Sequence, residues 1–164
     1  MQLLKNERLV VDSWTLREDA AALPNCGDVI VSANRWNAHR DTLLARAGRN
    51  GIWLSSEDEI ESIVKDVAHF DVISLEFSAV TDGRHYSNAR LLRERYAYSR
   101  ELRASGEVRR DQLFYLIRCG FDSFRLDDNC DIEDFLLGQK DFSSAYQYAT
   151  DDLVPAYRGR SGAV

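Results

Sequence analysis

Residues 71–126 decide the fold of this chain, and they read DVISLEFSAVTDGRHYSNARLLRERYAYSRELRASGEVRRDQLFYLIRCGFDSFRL. Three short apolar runs, at 71–77, 101–104 and 122–126, alternate with two longer segments whose apolar residues recur at helical spacing. Strand–helix–strand connections are right-handed, so successive strands of this kind are parallel and their trailing loops open on one edge of the sheet. The stretch therefore predicts a parallel sheet with any ligand site at the carboxyl ends of its strands.

The same alternation extends in both directions. Residues 28–32 and 52–54 are predicted as earlier strands, residues 35–47 as a helix, and residues 56–70 as a second helix that begins with a capping box of Ser56 and Glu59. Residues 8–16 indicate an edge strand or a short hairpin, and residues 127–139 one short acidic helix. We expect one α/β domain over residues 1–150, with about five βα units and a mainly parallel sheet that is open or half-barrel-like, followed by a flexible tail at 151–164.

Composition narrows the class of protein. The 164 residues are 45% hydrophobic and 29% charged, which is globular, and the net charge of −6 disfavours nucleic acid as a partner. The first residues, MQLLKNERLVVDSW, carry charges where a signal peptide is apolar, and no run approaches the roughly 18 apolar residues of a membrane span. A cytoplasmic protein without a membrane partner is expected, and its oligomeric state is not predicted.

Cysteines and histidines predict neither a disulfide framework nor a metal site. Cys26, Cys119 and Cys130 form no CxxC pair, so we expect reduced thiols, and the three histidines have no metal-ligand spacing. The chain also lacks the GxGxxG, GxxxxGK[ST], GxSxG and HExxH patterns. A self-contained nicotinamide enzyme, kinase or serine hydrolase is disfavoured, and the sequence names no cofactor.

The loop TDGRHYS, residues 81–87, is the strongest local signal for a site. Gly83 would give the backbone freedom, Arg84 would offer a planar guanidinium to an oxyanion, and Ser87 would cap a helix whose first amides attract anions. The alternative is structural: Asp82 and Arg84 pair with each other or with a neighbouring loop and simply fix the turn.

A second arginine is predicted to join this loop. Arg103 is expected at the carboxyl end of its strand, where it and Arg84 could bind one oxyanion from two loops. Glu76, on the preceding strand, is either the structural partner of Arg103 or a general base, and Asp82 and His85 are the other acid/base candidates. The residues alone leave both alternatives open.

Five segments carry a family resemblance: DGRHYS at 82–87, ARLLR at 89–93, ELRASG at 101–106, RDQ at 110–112 and CGFD at 119–122. They resemble a bacterial family known as domain of unknown function 934, often described as a probable oxidoreductase involved in sulfite reduction. FSSAYQ at 142–147, Trp36 and GIWL at 51–54 are also similar to it. Two positions depart from the family pattern: Ser78 stands in place of a proline and His85 in place of a glycine.

The resemblance implies a role in assimilatory sulfur metabolism. In one version the protein is an oxidoreductase or accessory factor in sulfite reduction, and it binds a sulfur oxyanion or sulfur nucleotide at Arg84 and Arg103. In the alternative it is a non-catalytic adaptor that docks onto sulfite reductase or its electron donor, with the acidic segments 127–134 and 141–152 facing a basic partner. A third alternative, by fold analogy, is a barrel-like enzyme for a phosphorylated metabolite.

Overall fold

The computed structural model describes residues 1–17, 19, 21–142, 145–146, 148–151 and 156–159. Within these residues the strands are β1 (Gln2–Lys5), β2 (Arg8–Val10), β3 (Thr15–Leu16), β4 (Val29–Ser32), β5 (Asn50–Leu54), β6 (Phe70–Phe77), β7 (Glu101–Gly106) and β8 (Ser123–Leu126). The helices are α1 (Ala33–Ala45), α2 (Arg84–Arg90), α3 (Leu113–Arg118), α4 (Ile132–Leu137) and α5 (Ala156–Gly159), and a π-helical turn (Leu91–Arg95) continues α2.

All eight strands form one sheet, in the order β2-β1-β8-β7-β6-β5-β4-β3. The six strands from β3 to β8 are parallel, whereas β1 is antiparallel to both β2 and β8. The prediction of a single α/β domain with a mainly parallel sheet is confirmed, and so is the parallel arrangement of the three strands in residues 71–126. The hairpin of β1 and β2 adds an antiparallel edge. The sequence indicated an edge strand or a short hairpin at residues 8–16, whereas the hairpin begins at Gln2.

The sheet is curled into a half-barrel, and a short connection between its two edges requires this curvature. β2 and β3 are the edge strands, and only the four residues 11–14 separate them in the chain. A flat sheet of eight strands would be about 34 Å wide, at about 4.8 Å per strand spacing. Five extended residue steps reach at most about 18 Å. The edges must therefore approach each other, and residues 11–14, here called the β2–β3 connection, cross the open side.

The two faces of the curled sheet have different chemistry. On the helix-covered face, strand residues such as Val31, Ile73 and Leu102 pack with Trp36 of α1 and Leu116 of α3 in one apolar core. The opposite face is the inside of the half-barrel, and it carries polar side chains from neighbouring strands: Ser74, Glu76, Glu101, Arg103, Ser105, Ser123 and Arg125. The core stabilises the fold, and the polar inner face carries the side chains that could form a ligand site.

The predictions of a helix over residues 56–70 and of a capping box at its start were both wrong. Residues 56–70 do not form a capped α-helix: they form the 3-10 turns Ile60–Ser62 and Val64–His69, and Glu59 makes no capping bond. Ser56 instead donates to the backbone oxygen of Glu76 at 3.2 Å and contacts the Ser78 hydroxyl at 2.9 Å. The Ser56 hydroxyl therefore bonds to groups at the carboxyl end of β6 instead of capping a helix.

The chain ends add two observations. The acidic helix predicted in residues 127–139 is present as α4, and Asp131 caps it by accepting from the amides of Glu133 and Asp134. The predicted flexible tail falls largely outside the described residues, because only 151 and 156–159 of residues 151–164 are described. None of the described helices is long and apolar enough to cross a membrane.

Candidate functional site

Strand register places the inner-face side chains in layers, as in other barrels. Glu76 of β6 lies beside Ser105 of β7, and Arg125 follows Ser123 on the same face of β8, so these residues form the layer nearest the carboxyl ends. One layer below, Ser74 lies beside Arg103, and Arg103 beside Ser123. Residues distant in sequence thus become neighbours inside the half-barrel.

Arg103 is the centre of a buried ion cluster. Only 1% of its side chain is exposed. Its Nε and Nη2 donate to Glu101 Oε1 at 3.0 and 2.7 Å, and its Nη1 donates to Asp12 Oδ2 at 2.9 Å. Glu101 also accepts from Lys5 Nζ at 2.7 Å and from Ser123 Oγ at 2.9 Å. Each of the three guanidinium nitrogens therefore donates to a carboxylate of the protein.

The electrostatics of this cluster favour the ionised carboxylate. Burial acts to raise the pKa of Glu101, but hydrogen bonds from Lys5 and Arg103 and the positive charge of Arg103 outweigh burial, and the pKa lies below its ordinary value. A buried ion pair persists only when further hydrogen bonds satisfy both partners, as they do here. The cluster holds the barrel interior together.

Two sequence predictions about Arg103 were wrong. The strand does not end at Ala104 but continues through Ser105 to Gly106, so Arg103 lies within the strand and one layer below the rim. Its partners are Glu101 and Asp12 rather than Glu76. The apolar run predicted as the strand ends at residue 104, whereas the observed pairing continues to Gly106, which lies in register with Phe77 at the end of the sheet.

The loop at 82–87 adopts the structural alternative. Asp82 Oδ1 accepts from Arg84 Nε at 3.0 Å and from the Arg84 amide at 3.1 Å, and Oδ2 accepts from Nη2 at 2.9 Å. These bonds hold the pKa of Asp82 well below its usual range. Gly83 has a φ of −92°, which any residue can adopt, and Ser87 lies exposed inside α2 rather than at its cap. Arg84 and Arg103 share no partner, and binding at Arg84 stays a prediction.

His85 is buried rather than exposed in the loop. Its side chain packs edge-on against Phe77 at 5.5 Å between ring centroids, and its Nδ1 lies 3.3 Å from the Asn88 side-chain nitrogen. Its Nε2 is buried and has no hydrogen-bond partner among the described residues. Burial lowers the pKa of His85, which favours the neutral ring. The departure from the family's glycine has therefore added a core residue.

A pocket of about 530 Å³ opens at the carboxyl ends of β6, β7 and β8. This rim pocket is lined by Met1, Glu76, Phe77, Ser78, Gly106, Glu107, Val108, Arg109, Arg125 and Asp127. Within the described part of the chain, the side chains of Glu76 and Arg125 form no hydrogen bond and no ion pair. Arg109 is exposed, and its nearest carboxylate, that of Glu107, is 3.9 Å away. The rim pocket combines an unpaired carboxylate with an unpaired guanidinium.

Sequence reasoning placed Glu76 in a site but did not select Arg125 or Arg109. The signal for Arg125 was present: side chains alternate along a strand, so Ser123 and Arg125 share a face. What the sequence lacked was the register that sets Arg125 beside Ser105 and near Glu76. Arg109 follows the strand end on a loop, where no periodic signal exists.

Comparison with known proteins identifies a family but no activity. Residues 51–157 match the family described as "Bacterial protein of unknown function (DUF934)". The chain belongs to this family. No curated protein and no solved structure matches this DUF934 protein. The family resemblance is thereby confirmed, while the link to sulfite reduction has no support beyond the resemblance. The matched segment runs from the second residue of β5 through β8 and contains most of the rim pocket.

Proposed function

We propose that this DUF934 protein binds a small anionic ligand in the rim pocket and serves assimilatory sulfur metabolism. The observation that carries the proposal is the Arg125 guanidinium, which has no partner among the described residues and lies in a pocket at the carboxyl ends of parallel strands, near Glu76, whose carboxylate also has no partner there. This edge is where ligands bind in parallel α/β sheets. Charged groups that are only half exposed normally have partners, so their lack of one here indicates a place kept for a ligand.

The chemistry of the two residues defines the ligand. Arg125 can donate two parallel hydrogen bonds to an oxyanion such as sulfite, sulfate or phosphate, and Arg109 can add a second positive charge. Glu76 repels a bare anion but accepts a hydrogen bond from a protonated oxygen or a hydroxyl group. A ligand that has both an oxyanion and a donor group fits best, such as hydrogen sulfite or a sulfur nucleotide. Glu76 would then act as the proton acceptor of any reaction.

The metabolic assignment comes from the family resemblance. In this assignment the protein is an oxidoreductase or an accessory factor of sulfite reduction, in the cytoplasm. A sulfur oxyanion is compatible with the rim pocket, because its oxygens can engage both arginines at once. Any electron transfer would need a redox group, for which the described residues offer no recognised motif.

A thermal-shift screen tests the proposed function. The purified protein is heated with sulfite, sulfate, phosphate, adenosine phosphosulfate, flavin and nicotinamide nucleotides, each in turn. We expect stabilisation by at least one oxyanion, with smaller shifts in Glu76→Gln if its carboxylate accepts a hydrogen bond. If no oxyanion changes the melting temperature at millimolar concentration, the proposed function is wrong.

The adaptor remains the second candidate, and a different surface favours it. β2 is a free sheet edge whose neighbouring apolar side chains are exposed: Leu9 at 55%, Val10 at 40% and Val11 at 94%. Proteins usually protect such edges, because a free strand can pair with a strand of another chain. By contrast, the acidic residues Asp134, Asp141 and Asp151 already form ion pairs with Arg110 and Arg118. Docking onto sulfite reductase or its electron donor would use the edge rather than the acidic segments.

The adaptor is tested by mixing the protein with purified sulfite reductase in analytical ultracentrifugation. Val10→Lys should abolish a complex formed through β2, whereas Arg125→Gln should leave it intact. Absence of a complex with the unaltered protein, or a complex indifferent to Val10→Lys, would exclude docking through this edge.

A further inference from the structure

A second cavity, of about 410 Å³, lies beside α3 and shares no residue with the rim pocket. Its walls include Arg90, Phe114, Tyr115, Arg118, Phe142 and Tyr148. We call it the aromatic groove. Its volume is in the range of small-molecule sites. It lies on the helix-covered side of the sheet, so it is a separate place for a ligand.

Three rings form a contiguous cluster in this groove. The Phe114 and Phe142 centroids are 5.0 Å apart, those of Tyr115 and Phe142 are 5.5 Å apart, and those of Phe114 and Tyr115 are 5.3 Å apart. Tyr115 is 49% exposed and Phe142 46% exposed. Single exposed apolar side chains are normal, but a cluster of exposed rings lining a cavity marks a binding surface. Exposed rings also offer faces on which another planar ring can stack.

Arginine supplies positive charge at the same groove. Arg90 forms an exposed pair with Glu94, at 2.9 Å and one helical turn away. A pair of this kind contributes little to stability, so the Arg90 guanidinium can turn toward a ligand at little cost. Arg118 donates to Asp151 at 3.0 Å and lies 5.6 Å from the Phe114 ring centroid. The groove therefore combines ring faces with guanidinium groups, in a chain whose net charge is −6.

We propose that the aromatic groove binds a planar aromatic ligand that carries a phosphate, the chemistry of a mononucleotide. The base or ring stacks on the exposed face of Tyr115 and contacts Phe142, whose ring plane is tilted by 56° to that of Tyr115, with its edge. The phosphate accepts hydrogen bonds from Arg90. Stacking selects planar rings without selecting a particular base, because every base has a π-face. The guanidinium requires the negative group, so the nucleoside without phosphate binds more weakly.

Fluorescence titration tests this proposal with defined probes. Flavin mononucleotide reports stacking through quenching of its own fluorescence, and AMP competes with it, with adenosine and inorganic phosphate as the two half-ligands. We expect AMP to displace the flavin, and each half-ligand to do so at least tenfold less effectively. Tyr115→Leu should weaken binding about tenfold, in line with the loss of one stacked ring. Arg90→Gln should weaken it about threefold or more.

Matched variants separate this site from the rest of the molecule. Arg95→Gln removes an exposed arginine of the same helical region that does not line the groove, and it should leave the titration unchanged. Arg125→Gln should also leave the titration unchanged. A wrong proposal for the aromatic groove can therefore be distinguished from a wrong proposal for the rim pocket. Circular dichroism and thermal unfolding of each variant confirm that the fold is retained.

Three results would overturn the proposal. The first is no quenching of flavin mononucleotide and no effect of AMP up to millimolar concentration. The second is binding that Tyr115→Leu and Arg90→Gln leave unchanged. The third is self-association of the unaltered protein, seen in sedimentation velocity and lost in Tyr115→Leu, because it would mean that another protein chain covers the groove.

Discussion

Arg103, inside β7, donates a hydrogen bond of 2.9 Å to Asp12, which lies in the β2–β3 connection between the two edges of the sheet. The two residues are 91 positions apart in the chain. Their contact joins the interior of the parallel strands to the segment that crosses the open side of the half-barrel. Since Arg103 also binds Glu101, one guanidinium links the strand interior to the closing segment.

Replacing Arg103 by methionine should strongly destabilise the protein. The substitution leaves Glu101, which is buried, without one of its two cationic partners, and breaking a buried pair in this way costs about 3–5 kcal/mol. Asp12→Ala removes a partly exposed partner and should cost about 1 kcal/mol. Urea unfolding of the two single variants and the double variant measures the loss in free energy of unfolding for each substitution. A free energy of unfolding for Arg103→Met equal to that of the unaltered protein would contradict this role.

Two glycines at the carboxyl edge should respond oppositely to alanine. Gly106 has a φ of +83°, and an added Cβ would collide with the carbonyl oxygen of Phe77, so Gly106→Ala should cost about 1–3 kcal/mol. Gly83 has a φ of −92° and open space around it, so Gly83→Ala should be neutral or stabilise by up to about 1 kcal/mol. Thermal unfolding compares them. Equal losses at the two positions would show that the assigned backbone conformations are wrong.

Stability should fall with acid in a way that depends on His85. The folded protein lowers the pKa of His85 from 6.5, so the unfolded chain binds the proton more readily. Stability from this residue is therefore complete above about pH 6.5 and declines as the pH falls, by up to about 1.4 kcal/mol per pH unit. The His85→Leu variant should lose less stability between pH 7.5 and pH 5.5 than the unaltered protein.

His39→Gln is the control for this titration, because His39 is exposed on α1. Urea unfolding at pH 7.5 and at pH 5.5 gives, for each variant, the change in the free energy of unfolding between the two pH values. If His85→Leu and His39→Gln show the same loss between the two pH values as the unaltered protein, His85 does not titrate with folding.

The parallel strands were predictable because their signal is local. Runs such as VIVS in β4 and DVISLEF in β6 are apolar over the length of a buried strand, and the segments between successive runs are long enough for the crossover connections that parallel strands need. The sequence left an open and a half-barrel-like sheet as alternatives, because closure depends on β1 pairing with β8 at the far end of the chain. Nothing local to Gln2–Lys5 specifies that partner.

The candidate site was only partly predictable, for three physical reasons. The apolar run at 101–104 predicted a strand that ends too early, which placed Arg103 at the rim, whereas Gly106, with its positive φ, still pairs with Phe77. The neighbourhood of Glu76 and Arg125 depends on the registers of two strand pairs, and register is a tertiary property. His85 was predicted as a loop residue because Ser87 was expected to cap the helix, whereas α2 begins at Arg84.

Isothermal titration calorimetry of the best oxyanion from the thermal-shift screen tests the central claim most directly, on the unaltered protein, Arg125→Gln and Arg84→Gln. Within the residues that the structure describes, Arg125 has no partner, so its loss should remove only ligand contacts, whereas Arg84 is paired with Asp82. We predict that Arg125→Gln raises the dissociation constant at least tenfold, which is a loss of about 1.4 kcal/mol of binding free energy, and that Arg84→Gln leaves it unchanged. Unchanged binding by Arg125→Gln together with lost binding by Arg84→Gln would contradict the account and place the ligand at the 82–87 loop.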